Sequence, residues 1–333
     1  MDATSKARSP ADRPAFLITI DTEGDDLWSA SGEITTENAR FLPRFQELCE
    51  KHGFLPTWLT SYEMAESPVF REFGRDVVER GAGEIGMHLH AWNSPPLVPL
   101  TDDDRACRPY LIEYPDNVIR EKIAFLTQLL EDRFERPMLS HRAGRWALDS
   151  LYARQLVLFG YRVDCSVTPH RNWAGELGDP HGLGGTDYTD FPSRPYFVDL
   201  DRIDRPGDSP LLEVPVSILN TGSIMSRLLA RTPSPIRRGL GRFFPSLIWL
   251  RPNGHNRSGM LRILRQAGRE RWPCVEFMLH SSELMPGGSR KSRTPSHLER
   301  LYDDIEAVFS EAADAFAGAV LSEFRETYGS AEK

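Results

Sequence analysis

The chain reads as an α/β protein, a distorted (β/α)7 barrel of the TIM type with long insertions in its βα loops. Three observations carry that expectation. Short apolar runs alternate with stretches of helical periodicity, an order that calls for parallel strands joined by crossover helices. About seven such runs can be counted, and their span favours a closed or nearly closed barrel over an open doubly wound sheet. Neither G-x-G-x-x-G nor G-x-x-x-x-G-K-[S/T] follows the first run, which weakens a nucleotide-binding reading.

The elements follow in order. AFLITID (15–21) is the first strand. In TENARFLPRFQELCEKHG, Phe41, Phe45 and Leu48 recur at helical spacing until Gly53 stops the run. PTWLTS (56–61) is the second strand, a helix lies near 68–80, and the run 84–90 is the third strand. DNVIREKIAFLTQLLEDRF (116–134) is an amphipathic helix, with Ile119, Ile123, Leu126, Leu129 and Leu130 on one stripe. PMLSHRAG (137–144), YRVDCSV (161–167), LLEVPVS (211–217) and CVEFMLHSSEL (274–284) complete the strands, and helices are expected near 147–159, 257–270 and 295–325. Residues 168–210, rich in Gly, Pro and Asp, are too many for a simple connector and read as a substrate loop. One barrel domain over 15–328 is expected, between a flexible segment 1–14 and a tail 329–333.

Bulk properties narrow the function classes. At 333 residues with 40% apolar content the chain can bury a substantial core, and its formal charge of −8 argues against a general nucleic-acid binder. Cys49, Cys107, Cys165 and Cys274 are scattered without a C-x-x-C, which suits a reducing compartment. The opening MDATSKARSPADRPAF has no apolar signal region, and no window approaches 18 uninterrupted apolar residues. A soluble, cytoplasmic protein is the expectation.

Chemistry-bearing residues gather where strands end, which is where a parallel β/α barrel places its active site. Asp21 and Glu23 close the first strand and His88 and His90 the third. His141, Arg142 and Arg145 follow the fourth, Asp164 and Ser166 belong to the fifth, and His280 ends the last. In GEIGMHLHAW, residues 85, 87 and 89 alternate with 86, 88 and 90, so both histidines share one face of the pleat. Two imidazoles and a carboxylate suffice for a catalytic divalent metal with a position left open for water. That donor set suits zinc first and leaves iron, cobalt and nickel open.

In series these residues resemble the polysaccharide deacetylases, the NodB-homology domain of carbohydrate esterase family 4, over roughly residues 15–285. ITIDTEGD is similar to the family's D-x-E form of the first motif, which implies Asp21 as catalytic base and Glu23 as metal ligand. EIGMH matches the lead-in of the second motif through His88. Arg142 in HRAG matches the arginine that orients the base, Asp164 in DCS the fourth-motif aspartate, and His280 in MLH the closing histidine. The usual second motif is H-x-x-x-H, and Trp92 stands where its second histidine would be; His90 is the replacement that strand alternation offers. Thr22 likewise interrupts the common D-D pair. The resemblance implies a base at Asp21, an acid at His280 that protonates the leaving amine, and Asp164 orienting that imidazole and favouring its charged form.

Trp28, Trp92, Trp146 and Trp173 lie just downstream of these residues and suit the faces of a sugar. With Arg145, Ser166 and Tyr188 they are the candidate substrate contacts. Residues 223–272 hold eleven arginines, no lysine and one acid, a formal charge of +10. Arginine beside apolar bulk suits a lipid- or nucleotide-linked diphosphate or peripheral contact with an anionic membrane; a solvated insertion between strands is the equal alternative. The expected activity is hydrolytic deacetylation of an N-acetylated sugar in a cell-surface glycan precursor of lipopolysaccharide or capsule type. Hydrolysis of a non-sugar amide or ureide, and a non-catalytic glycan-binding module, stay open beside it.

Overall fold

The computed structural model describes residues 13–25, 27–28, 33–222 and 246–331. The expectations for 1–12 and for the first part of the basic segment, 223–245, lie outside the described residues.

Strand β1 (Ala15–Thr22) has Phe16, Leu17, Ile18 and Ile20 almost wholly buried. Burial on both faces is the mark of a parallel strand covered on each side. It is followed by α1 (Leu42–Lys51), β2 (Pro56–Thr60), α2 (Tyr62–Glu66), α3 (Pro68–Glu79) and β3 (Glu84–Leu89). A short α4 (Asp104–Cys107) precedes α5 (Asp116–Phe134), which is followed by β4 (Ser140–Ala143), α6 (Ser150–Leu158) and β5 (Val163–Asp164). The long connection beyond β5 contributes β6 (Tyr196–Phe197), and β7 (Leu212–Glu213), β8 (Ile218–Asn220) and β9 (Leu247–Trp249) follow it. The chain closes with α7 (Arg257–Glu270), β10 (Cys274–His280), α8 (Pro295–Ala315), β11 (Ala317–Gly318) and α9 (Leu321–Ala331).

The sheet runs β10-β1-β2-β3-β4-β5-β7, parallel throughout, with β6 added antiparallel to β7. These seven parallel strands curl into a barrel whose last seam is bridged rather than zipped. Ser217 accepts from the Leu250 amide and donates its own amide to Glu276, while the Met278 amide donates to Leu250. The β8–β9 ribbon therefore spans the gap between β7 and β10.

One expectation changes. The helix foreseen over 295–325 breaks in two, because Phe316 is buried in extended conformation and β11 pairs with the start of β1. The second half of the basic segment carries the helix expected near 257–270. It forms β9 and α7, and Arg257 and Arg265 of α7 pair with Asp304 and Glu311 of α8.

Register places the chemistry. Asp21 lies beside His280 across β1–β10, His88 beside Arg142 across β3–β4, and His141 beside Asp164 across β4–β5. Gly86 in β3 permits the close approach of β4, since a Cβ there would meet the Ser140 carbonyl oxygen at 2.6 Å.

Candidate active site

The C-terminal strand ends enclose a cavity of about 420 Å³ floored by Asp21, Glu23, His88, His90 and His280. Glu23, just beyond β1, and the two histidines at the end of β3 bring one ligating atom each to within 4.8 Å of one another, all three side chains being buried. Oε2 of Glu23 stands 3.0 Å from Nε2 of His90 and 3.6 Å from Nε2 of His88.

The supporting contacts fit a metal centre. Nδ1–H of His88 donates to the Arg142 carbonyl at 3.0 Å, which turns Nε2 toward Glu23 as the atom left for a metal. Trp28 Nε1 donates to Oε1 of Glu23 at 2.8 Å, which leaves Oε2 for the shared centre. His90 is held by packing instead. Its ring lies 4.4 Å from Trp92 and 5.5 Å from Trp28, and Gly144 is so close that a Cβ would fall 2.6 Å from His90 Nδ1. That Nδ1 is buried and has no partner among the described residues. Burial presses the His90 pKa down and the nearby His88 adds to it, so His90 is held as a neutral donor. Burial pushes the Glu23 carboxyl up, but His280 and the bonds from both histidines hold it well below its ordinary range.

Asp21 is set apart from this trio by Arg142. The guanidinium, buried completely, donates from Nη1 to Asp21 Oδ1 at 2.6 Å, from Nη2 to Thr19 Oγ1 at 2.9 Å and to Glu276, and from Nε to the Cys165 carbonyl at 3.0 Å. Burial would raise the Asp21 pKa; Arg142, His88 and His280 together outweigh it, so the pKa is lowered and the carboxyl is ionised. Oδ2 of Asp21 faces Nε2 of His280 at 3.6 Å. Glu276, an acid inside the apolar strand CVEFMLH, was not among the expected residues. Its period-two spacing from His280 was the available signal.

The expected partnership of Asp164 with His280 is corrected. Asp164 bonds Nδ1 of His141 at 2.5 Å, and His141 Nε2 meets the Tyr152 hydroxyl at 2.6 Å, all fully buried between strands. β5 is only two residues long, and Asp164 turns sideways to its register partner rather than across the barrel. His280 instead receives Arg251: Nη2 donates to Nδ1 at 2.8 Å, and the same nitrogen bonds Glu283 at 2.6 Å. Lys291 completes the group, 2.8 Å from Glu283. An arginine donating to Nδ1 requires a lone pair there, so the proton of His280 sits on Nε2, facing Asp21 and Glu23. Burial and Arg251 both lower its pKa, and the ring is neutral.

The substrate candidates divide. Trp28, Arg145, Trp146 and Trp173 line the cavity. Trp92 packs behind His90 and does not belong to the lining. Ser166 is buried, donating to Asp164 and accepting from the Ala143 amide. Tyr188 is buried too, its hydroxyl donating to the Trp146 carbonyl and accepting from the Leu148 amide. Both support the wall from behind, because their hydroxyls are consumed by backbone and carboxylate partners. Tyr110, a loop tyrosine near the site, lines the cavity; Arg108 joins it unforeseen, and Glu176 and Leu177 arrive from the long connection after β5. Arg145 and Trp146 hold left-handed backbone, φ 56° and 65°, a strained form that places both at the cavity wall.

No family model matches the chain, and no curated protein matches it. Two solved structures share its fold. A candidate polysaccharide deacetylase from Mycobacterium smegmatis is 14% identical over 98% of this chain and 95% of the other, with a TM-score of 0.54. A candidate glycoside hydrolase/deacetylase from Parabacteroides distasonis is 13% identical over 97% of this chain and 73% of the other, with a TM-score of 0.59. At those identities the likeness speaks for the fold. No described helix is long and apolar enough to cross a membrane.

Proposed function

We propose that the chain is a metal-dependent hydrolase that removes the acetyl group from an N-acetylated sugar. The observation that carries this is the pairing of a three-ligand centre, Glu23, His88 and His90, with a separate ionised carboxylate, Asp21, in one cavity. The likeness in fold to two proteins described as deacetylases supports the same reading.

A divalent ion held by Glu23, His88 and His90, zinc by the preference of that donor set, supplies a Lewis acid for the amide carbonyl and an acidified water. Asp21 takes the proton of the attacking water while Arg142 holds its carboxylate in place. The neutral His280, with Nε2–H turned into the cavity, donates a hydrogen bond to charge developing on the reacting group. Because Arg251 opposes a cationic His280, the proton delivered to the departing amine is the one Asp21 received. Water adds to the carbonyl carbon, the C–N bond breaks, and acetate and the free amine leave. Trp146 and Trp173 offer ring faces to the sugar, and the cavity volume suits one or two sugar units. A precursor of a cell-surface glycan, handled in the cytoplasm, is the substrate class we favour.

The test is acetate release from acetamido sugars by zinc-loaded protein. Release should stop on treatment with a chelator and return with zinc. Turnover that is indifferent to chelation contradicts the proposal.

A further inference from the structure

Two arginines beside the site are matched with acids: Arg142 with Asp21 and Glu276, and Arg251 with Glu283. Two that line the cavity are not. Arg108 and Arg145 have no carboxylate within ion-pair distance among the described residues. Arg108 donates from Nη2 to the Trp28 carbonyl at 2.7 Å, and its Nε is buried without a described partner. Arg145 donates from Nη1 to the Arg108 carbonyl at 2.5 Å and from Nη2 to the Leu177 carbonyl at 3.1 Å, its guanidinium 3.9 Å above the Tyr110 ring.

The nearby acids are engaged elsewhere. Glu113 accepts from the Tyr110 and Asp179 amides, and Glu176 stands 4.0 Å from Arg171. Burial depresses the Arg145 pKa; Tyr110, Glu113 and Glu176 act in the opposite direction without reversing it, and Arg108 adds a smaller push down. Two guanidiniums anchored on backbone carbonyls, one of them on strained backbone, present N–H groups and positive charge with no carboxylate in direct ion-pair contact among the described residues. Planar guanidinium donors match oxyanions.

We propose that Arg108 and Arg145 form an anion subsite, so that the acetamido sugar carries a carboxylate or phosphate oxyanion on the sugar itself or on its nearest substituent. The proposal rests on the deacetylase reading for the sugar, though not for the oxyanion. It selects acidic or phosphorylated glycan intermediates over neutral chitin-like chains.

The experiment is calorimetry on zinc-loaded wild type and the double variant Arg108→Gln/Arg145→Gln, whose metal content is measured as the control for a folded site. Inorganic phosphate should bind wild type at least about tenfold more tightly than the variant, and the difference should shrink with added salt. Equal phosphate binding in the two proteins, or a variant that has lost its zinc, overturns the subsite. In the second arm N-acetylglucosamine 1-phosphate and an N-acetylhexosaminuronate are compared with N-acetylglucosamine. A preference for either charged sugar that collapses to about one in the variant supports the proposal and names the source of the oxyanion. A preference that persists in the variant, or none in wild type, overturns it. Phosphate bound through the arginines with no sugar bound at all sinks the acetamido-sugar reading and leaves the oxyanion site standing.

Discussion

Asp21→Asn is expected to cut acetate release by about 10³-fold while leaving metal content and the unfolding midpoint close to wild type. Asparagine is nearly isosteric and its carbonyl oxygen can still accept from Arg142 Nη1, so the geometry survives. Glu276 continues to balance the guanidinium. Asp21 is not one of the three converging ligands, so the metal stays. What asparagine lacks is basicity. Initial rates beside metal analysis check this, and a variant that keeps a tenth of the activity removes Asp21 as the base.

Arg142→Met is expected to destabilise the fold by about 3–5 kcal/mol, the range for removing one partner of a buried ion pair. The side chain is fully buried and serves two carboxylates, one hydroxyl and one carbonyl. Without it Asp21 and Glu276 face each other uncompensated in the core. Arg142→Lys should recover little, because an ammonium is a point charge and does not reproduce a planar fork. Equilibrium unfolding in urea measures the difference. A loss below about 1 kcal/mol contradicts the assignment of Arg142 as the cation that balances the barrel core.

Much of the barrel was legible because its signals are local. The apolar run of β1, the stripe of α5 and the alternation around His88 and His90 depend only on neighbours in sequence. The same alternation brings both imidazoles to Glu23. What was not legible is lateral. Nothing around Asp164 says that it turns to the adjacent strand and bonds His141 instead of crossing to His280. The partner of His280 comes from Arg251, twenty-nine residues upstream, between β9 and α7. Ser166 and Tyr188 have site-like residue types and site-like positions. Only packing shows their hydroxyls consumed by Asp164 and by the backbone around Trp146. Arg108 lay unmarked in a loop, and only the folded chain brings it beside Arg145.

The measurement closest to the central claim is transition-metal content by mass spectrometry for purified wild type and His90→Ala, both after zinc reconstitution and desalting. About one metal per chain is expected in wild type and a large loss in the variant, because His90 is one of three ligands in a buried site. Wild type that stays empty after reconstitution would contradict the metal centre itself. Equal occupancy in the two proteins would contradict the assignment of His90 as a ligand.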